Sequence, residues 1–152
     1  MQAPLAATQT QKQKQKAGSP ETDMRAASYP AGVSMTFQPS ELTCAPRRES
    51  DVEGSWQTSA PREPASSGAP VTLGLRNAVG TGTRTVEAWV YGPNDQMWSA
   101  RTQLIMNHWT EVVFPRHFRP APQRMPSGTY TVIWRSGEPK HPFIMCDGFV
   151  VN

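Results

Sequence analysis

The decapeptide Pro126-Ser127-Gly128-Thr129-Tyr130-Thr131-Val132-Ile133-Trp134-Arg135 sets the strongest limit on what this chain can fold into. Its first three residues make a tight turn. The residues after them alternate, so that Tyr130, Val132 and Trp134 share one face of an extended strand. Ser136 to Pro142 is again rich in turn formers, and a second apolar run, Phe143 to Val151, follows it. Two extended runs joined by so short a break pair antiparallel, and their shared apolar face must be buried against a second layer. The stretch from Met125 to Asn152 therefore predicts an all-β sandwich.

Upstream segments agree. Val33-Ser34-Met35-Thr36-Phe37 alternates and predicts a first strand between Gly32 and Pro39. Val71, Leu73 and Leu75 share a face, with Thr72, Gly74 and Arg76 opposite, and Gly80-Thr81-Gly82 turns the chain into a strand from Thr85 to Tyr91. Gly92-Pro93-Asn94-Asp95 ends that strand with strong turn chemistry. Gln96 to Met106 and Trp109 to Phe114 bring the count to about seven strands. Ala45 to Pro70 holds Pro46, Pro61, Pro64 and Pro70, with Trp56 its only large anchor, and is expected to be a loop or an edge-covering segment. No helical periodicity lasts beyond a turn or two, and no internal repeat suggests blades or a solenoid.

Residues 1 to 32 read differently. They hold almost no large apolar side chains and include Gln11-Lys12-Gln13-Lys14-Gln15-Lys16, too polar to offset the entropy of ordering, so a flexible basic tail or linker is expected there and a domain over 33 to 152. Of the net charge of +3, the tail carries +2 (Lys12, Lys14, Lys16 and Arg25 against Glu21 and Asp23), which leaves +1 for the domain and argues against a nucleic-acid partner. A local exception is Phe114 to Arg124, where Arg116, His117, Arg119 and Arg124 occur without a carboxylate: either a solvated loop or an anion-binding patch. No run approaches the roughly 18 to 20 apolar residues of a membrane span. The N-terminus lacks the charged and apolar regions of a secretory signal, as expected of a chain not exported by that route or of a mature form.

Gly128-Thr129-Tyr130-Thr131-Val132 places a tyrosine near the start of a late strand, and in this the chain resembles immunoglobulin-like and fibronectin type III sandwiches, whose tyrosine corner caps an inter-strand connection. Val132 stands where an antibody-type domain has its cysteine, so the resemblance is to the broader group without that bridge. It implies a single immunoglobulin-like antiparallel β-sandwich, with Tyr130 buried and its hydroxyl bonded to backbone before its strand. In such folds the first strand commonly runs beside the last, which implies an approach of Cys44 and Cys146; a bridge and two unpaired buried thiols both stand as readings.

A narrower resemblance, over about residues 69 to 152, is to the periplasmic copper-resistance protein C family of small copper carriers. Pro126 to Arg135 is similar to that family's late motif, His141-Pro142 to the turn after it, and Tyr91 to Asp95 to its mid-domain hairpin. Glu138-Pro139-Lys140 replaces the family's Asp-Gly before the histidine, and no N-terminal histidine is present, so the resemblance implies only His141 as a copper ligand.

The residues themselves offer little reaction chemistry. Copper(II) favours several nitrogens in tetragonal array, whereas His108, His117 and His141 show no ligand spacing; Met35, Met106 and Met145 lie in apolar runs and read as core. Two cysteines are too few for structural zinc, and neither a Gly-x-Ser-x-Gly elbow nor a phosphate-binding glycine loop occurs. No enzyme and no cofactor is expected. Trp89 and Tyr91 alternate out of phase with Val86, Ala88 and Val90: either they form an outer aromatic stripe suited to a sugar or protein partner, or the register is reversed and Trp89 is buried. The expectation is a binding or structural module, with Trp89, Tyr91, Arg116 and Arg119 toward a protein or glycan surface, in an extracytoplasmic or particle-surface setting. Copper carriage, and membership of a larger assembly with the tail as an extended arm, are the competing expectations.

Overall fold

The computed structural model describes residues 35–122 and 124–152, and these belong to one unit, Met35–Asn152. The predicted tail over 1 to 32 lies outside the described residues. Among the described residues nine strands form, all paired antiparallel: β1 (Thr36–Gln38), β2 (Thr43–Ala45), β3 (Trp56–Ser59), β4 (Val71–Asn77), β5 (Thr83–Tyr91), β6 (Met97–Ile105), β7 (Thr110–Phe114), β8 (Gly128–Ser136) and β9 (Phe143–Val151). No helix occurs among the described residues. A three-stranded sheet, β3-β4-β7, faces a four-stranded sheet, β6-β5-β8-β9, and β1-β2 is a separate hairpin.

Nine strands replace the expected seven because β2 and β3 are three and four residues long, too short for alternation to register in the sequence. β3 lies inside the stretch expected to be a loop or edge-covering segment, and pairing of Trp56 with Asn77 through Ser59 with Gly74 makes it an edge strand on β4. Of the predicted first strand, Val33 and Ser34 lie outside the described residues, and Thr36 and Phe37 belong to β1, in the hairpin and outside both sheets of the sandwich.

Alternation builds the core. Leu73 and Leu75 of β4 and Val112 and Phe114 of β7 meet Val86, Ala88 and Val90 of β5, Tyr130, Val132 and Trp134 of β8, and Phe149 of β9. Phe114 is the hub, with Trp98, Phe118, Tyr130 and Phe149 at centroid distances of 5.3, 5.2, 5.8 and 5.8 Å. Tilted and edge-on arrangements dominate these contacts, as ring quadrupoles favour. Met35 is buried, and Met106 and Met145 pack on the core from its margin.

The free edge of β9 is covered by the β3–β4 connection. Ala65 bridges Val151, and Arg62 donates to both carboxylate oxygens of Asp147 at 3.1 Å. Asp147 is buried, and this bidentate pair, with the Gly148 amide donating to Oδ1 at 2.8 Å, supplies the partners that a buried carboxylate requires.

Every residue of β8 from Tyr130 to Ser136 is buried, including Thr131 and Ile133 on the outer face of the large sheet, which alternation alone would leave wet. The cover is the β1–β2 hairpin. Phe37 lies on Gly148 so closely that a Cβ there would stand 2.1 Å from its ring, and the Phe37 amide donates to Thr131 Oγ1 at 2.9 Å. A disulfide joins Cys44 of β2 to Cys146 of β9, with Cα atoms 6.1 Å apart, and fastens the hairpin to the sheet.

Candidate functional site

Two surfaces gather polar and aromatic groups. The first is the exposed part of the large sheet's outer face. Val86, Ala88 and Val90 are fully buried, so the register that turns Glu87, Trp89 and Tyr91 outward is the one adopted. Those side chains are half-buried, however, so neither the open aromatic stripe nor the reversed register with Trp89 in the core is what forms. The strand register sets Arg135 opposite Glu87, and the buried Arg135 guanidinium lies 4.7 Å from the Trp89 ring centroid, a cation over an indole face. Glu87 collects three partners: Trp89 Nε1 donates to Oε1 at 3.0 Å, His141 Nδ1 lies 3.1 Å from the same oxygen, and Arg101 pairs with Oε2. The His141 ring stands 5.7 Å from Trp89, and its carbonyl accepts from Arg135 Nη1 at 3.0 Å.

This placement costs backbone energy. Lys140 and His141 have φ of 73° and 46°, left-handed values that non-glycine residues seldom adopt, and His141 precedes a proline, which restricts it further. Hydrogen bonding to Glu87 raises the His141 pKa above its usual value, against the opposing effect of burial. Burial pushes the Glu87 carboxyl up, but His141, Trp89 and Arg101 together outweigh it and hold the group below the usual carboxylate range.

The donor set does not fit copper(II). One imidazole already engaged by a carboxylate, with Arg101 and Arg135 alongside, brings positive charge to the place where a cation would sit. His117 is elsewhere, its Nδ1 accepting the Val113 amide at 2.9 Å, and among the described residues no group of three or more His, Cys, Asp or Glu side chains is placed to hold a metal.

The second surface is a cleft of about 500 Å³ at one end of the sandwich, between the β5–β6 turn and the β7–β8 connection. Asn94, Gln96 and Trp98 line one side, and Pro122, Arg124 and Pro126 the other. Both walls are fixed. Gln96 folds over Gly92, where a Cβ would lie 2.6 Å from its Oε1, and that oxygen accepts the Asn94 amide at 3.0 Å. Across the cleft the Tyr130 hydroxyl donates to Pro126 O at 2.7 Å, Ser67 Oγ donates to Met125 O at 3.0 Å, and Met125 is itself buried. Gly128, at φ 140°, packs on Pro93 where a Cβ would come within 2.8 Å, and so draws the two walls together.

Arg116 and Arg119 lie exposed on that same connection. Arg119 exchanges backbone hydrogen bonds with Ser99 of the edge strand β6, both at 2.9 Å, while Phe118 beside it plugs into the core. Thus the structure separates the predicted residues: Trp89 and Tyr91 are on the sheet face, and Arg116 and Arg119 are on the end connection. Sequence reasoning missed the carboxamides of Asn94 and Gln96, because turn residues carry no mark of the wall they will face. It also took Trp109 for the start of a strand, whereas the indole lies against Gly74 on the small sheet and is half exposed.

Comparison with known proteins finds no matching family model, no matching curated protein and no matching solved structure.

Proposed function

We propose that this chain is a binding module of the immunoglobulin-like and fibronectin type III kind, not an enzyme, and that its working surface is the end of the sandwich bearing the cleft. Two features support the fold assignment: the strand order β3-β4-β7 against β6-β5-β8-β9, and the corner geometry of Tyr130, whose buried ring reaches back four residues to a backbone carbonyl. The cleft is the observation that carries the functional reading. Its size falls within the range of ligand sites, and its walls are anchored before any partner arrives. The groups that line it are carboxamides, prolines, an indole edge and a guanidinium. Such groups recognise by shape and hydrogen bonding. The disulfide supports an extracytoplasmic or particle-surface setting, where such bridges persist.

The test is photo-crosslinking of the intact chain in native lysate, with a benzophenone amino acid at Asn94, at Arg119, or at Val79 on the opposite end of the sandwich. A discrete adduct from the first two positions and none from Val79 is expected. Adducts from Val79 alone, or from no position, would refute the assignment of the working surface.

A further inference from the structure

We infer that the end cleft receives an extended acidic peptide segment of a partner protein; this rests on the reading of that end as the working surface. The argument begins with charge. Arg116, Arg119 and Arg124 all stand exposed on the β7–β8 connection, and none enters an ion pair among the described residues. Elsewhere four arginines are matched, Arg48 to Asp51, Arg62 to Asp147, Arg84 to Glu138 and Arg101 to Glu87, and Arg76 donates to Gln57, whereas the β7–β8 connection gathers three without a carboxylate partner. Of the three only Arg124 lines the cleft, and Asp95 stands exposed in the opposite turn, but the connection's three arginines outnumber that carboxylate, and such an excess of positive charge favours an anionic occupant.

The lining then narrows the class. Asn94 offers a carbonyl and an amide NH₂ and Gln96, its carbonyl engaged by the Asn94 amide, offers its NH₂, groups complementary to those that a peptide unit presents in return. Pro122, Pro126 and the edge of Trp98 give apolar walls that accept proline or aliphatic side chains of an extended chain. Arg124, in the lining itself, presents a planar fork that binds a carboxylate through two parallel hydrogen bonds. A nucleic acid fits less well. Trp98 is only 6% exposed and packs against Phe114 and Tyr130, so it has no open ring face on which a base could stack.

Fluorescence anisotropy decides the matter, with the intact chain and a fluorescein-labelled hexapeptide alternating glutamate and proline, compared with its glutamine–proline counterpart. Saturable binding of the glutamate peptide is expected, at least tenfold tighter than that of the glutamine peptide. Arg124→Ala should weaken it about tenfold and Gln96→Ala severalfold, whereas Arg76→Ala, on the small sheet, should leave it unchanged. Arg124 is exposed, so its removal should spare the thermal midpoint, and an unchanged midpoint certifies the comparison. Equal affinity for the two peptides, indifference to Arg124→Ala, or tighter binding of a labelled oligothymidylate would overturn the inference. Absence of saturable binding at millimolar protein would overturn it too. Crosslinking from Asn94 and Arg119 would persist in any of these cases if the working surface is right and only the ligand class is wrong.

Discussion

Tyr130→Phe isolates one hydrogen bond. The ring is fully buried and stacked on Phe149 at 4.9 Å, and phenylalanine preserves that packing, so only the hydroxyl and its 2.7 Å bond to Pro126 O are lost. A buried carbonyl left without a partner costs about 1 to 3 kcal/mol. Pro126, however, lines a cleft open to solvent, and water can reach its carbonyl once the phenol is gone, which places the cost at the lower end, about 1 to 2 kcal/mol. For a domain of this size each kcal/mol moves the midpoint by about 3 to 5 °C. Thermal unfolding followed by circular dichroism, with the disulfide intact, should therefore show a fall of about 3 to 10 °C. Tyr130→Ala removes the ring as well and should cost about 3 to 5 kcal/mol, as large-to-small aromatic changes do. A Tyr130→Phe midpoint within 1 °C of the parent, alongside a large loss for Tyr130→Ala, would show that the hydroxyl does not hold the connection. The corner would then be packing alone.

Thr131→Val, on the opposite face of the same strand, removes the acceptor of the Phe37 amide under the hairpin and should destabilise by about 1 to 3 kcal/mol; a neutral result in urea denaturation would mean that the hairpin does not sit on β8. The His141–Glu87 contact predicts a pH signature. A raised His141 pKa gives stability that is complete below about 6.5 and is lost as pH climbs through the folded value, and a lowered Glu87 pKa gives stability present above about 4.5 and lost as pH falls through its folded value. Stability against pH should accordingly be favoured between these limits, and His141→Ala should flatten the neutral limb; a profile unchanged by that substitution would count against the contact.

What could be read from the sequence was what has a period. β4 to β9 are five to nine residues long and alternate, and each was placed within a few residues of its observed bounds. β2 and β3 escaped notice because three or four residues present no repeat: β3 forms on the edge of the longer β4, and β2 pairs with the equally short β1 and is bridged by its disulfide to β9. Thr131 looked solvent-facing from its place in the strand, since nothing local announces that Phe37, ninety-four positions away, will lie over it. Trp89 shows the same limit. Its outward register follows from the aliphatics beside it, but the arginine against its ring arrives through the pairing of β5 with β8. The end cleft has one wall in the turn after β5 and the other beyond residue 120, so it exists only in the fold.

The hairpin also sets an order of events during synthesis. β1 and β2 leave the ribosome first among the described strands, yet their resting place is made of β8 and β9, which leave last, and Cys44 waits 102 residues for Cys146. β5 is in the same position, because its neighbour β8 is translated only after β6 and β7. Until the final strand emerges, the nascent chain carries two unsheltered sheet edges, an idle thiol and a hairpin too short to persist alone. Long-range pairing of this kind is slow, and chains held open in that state are the ones that aggregate or recruit chaperones. A transcript interrupted anywhere before β9 would thus yield no smaller version of this protein, only a chain with nowhere to put its beginning.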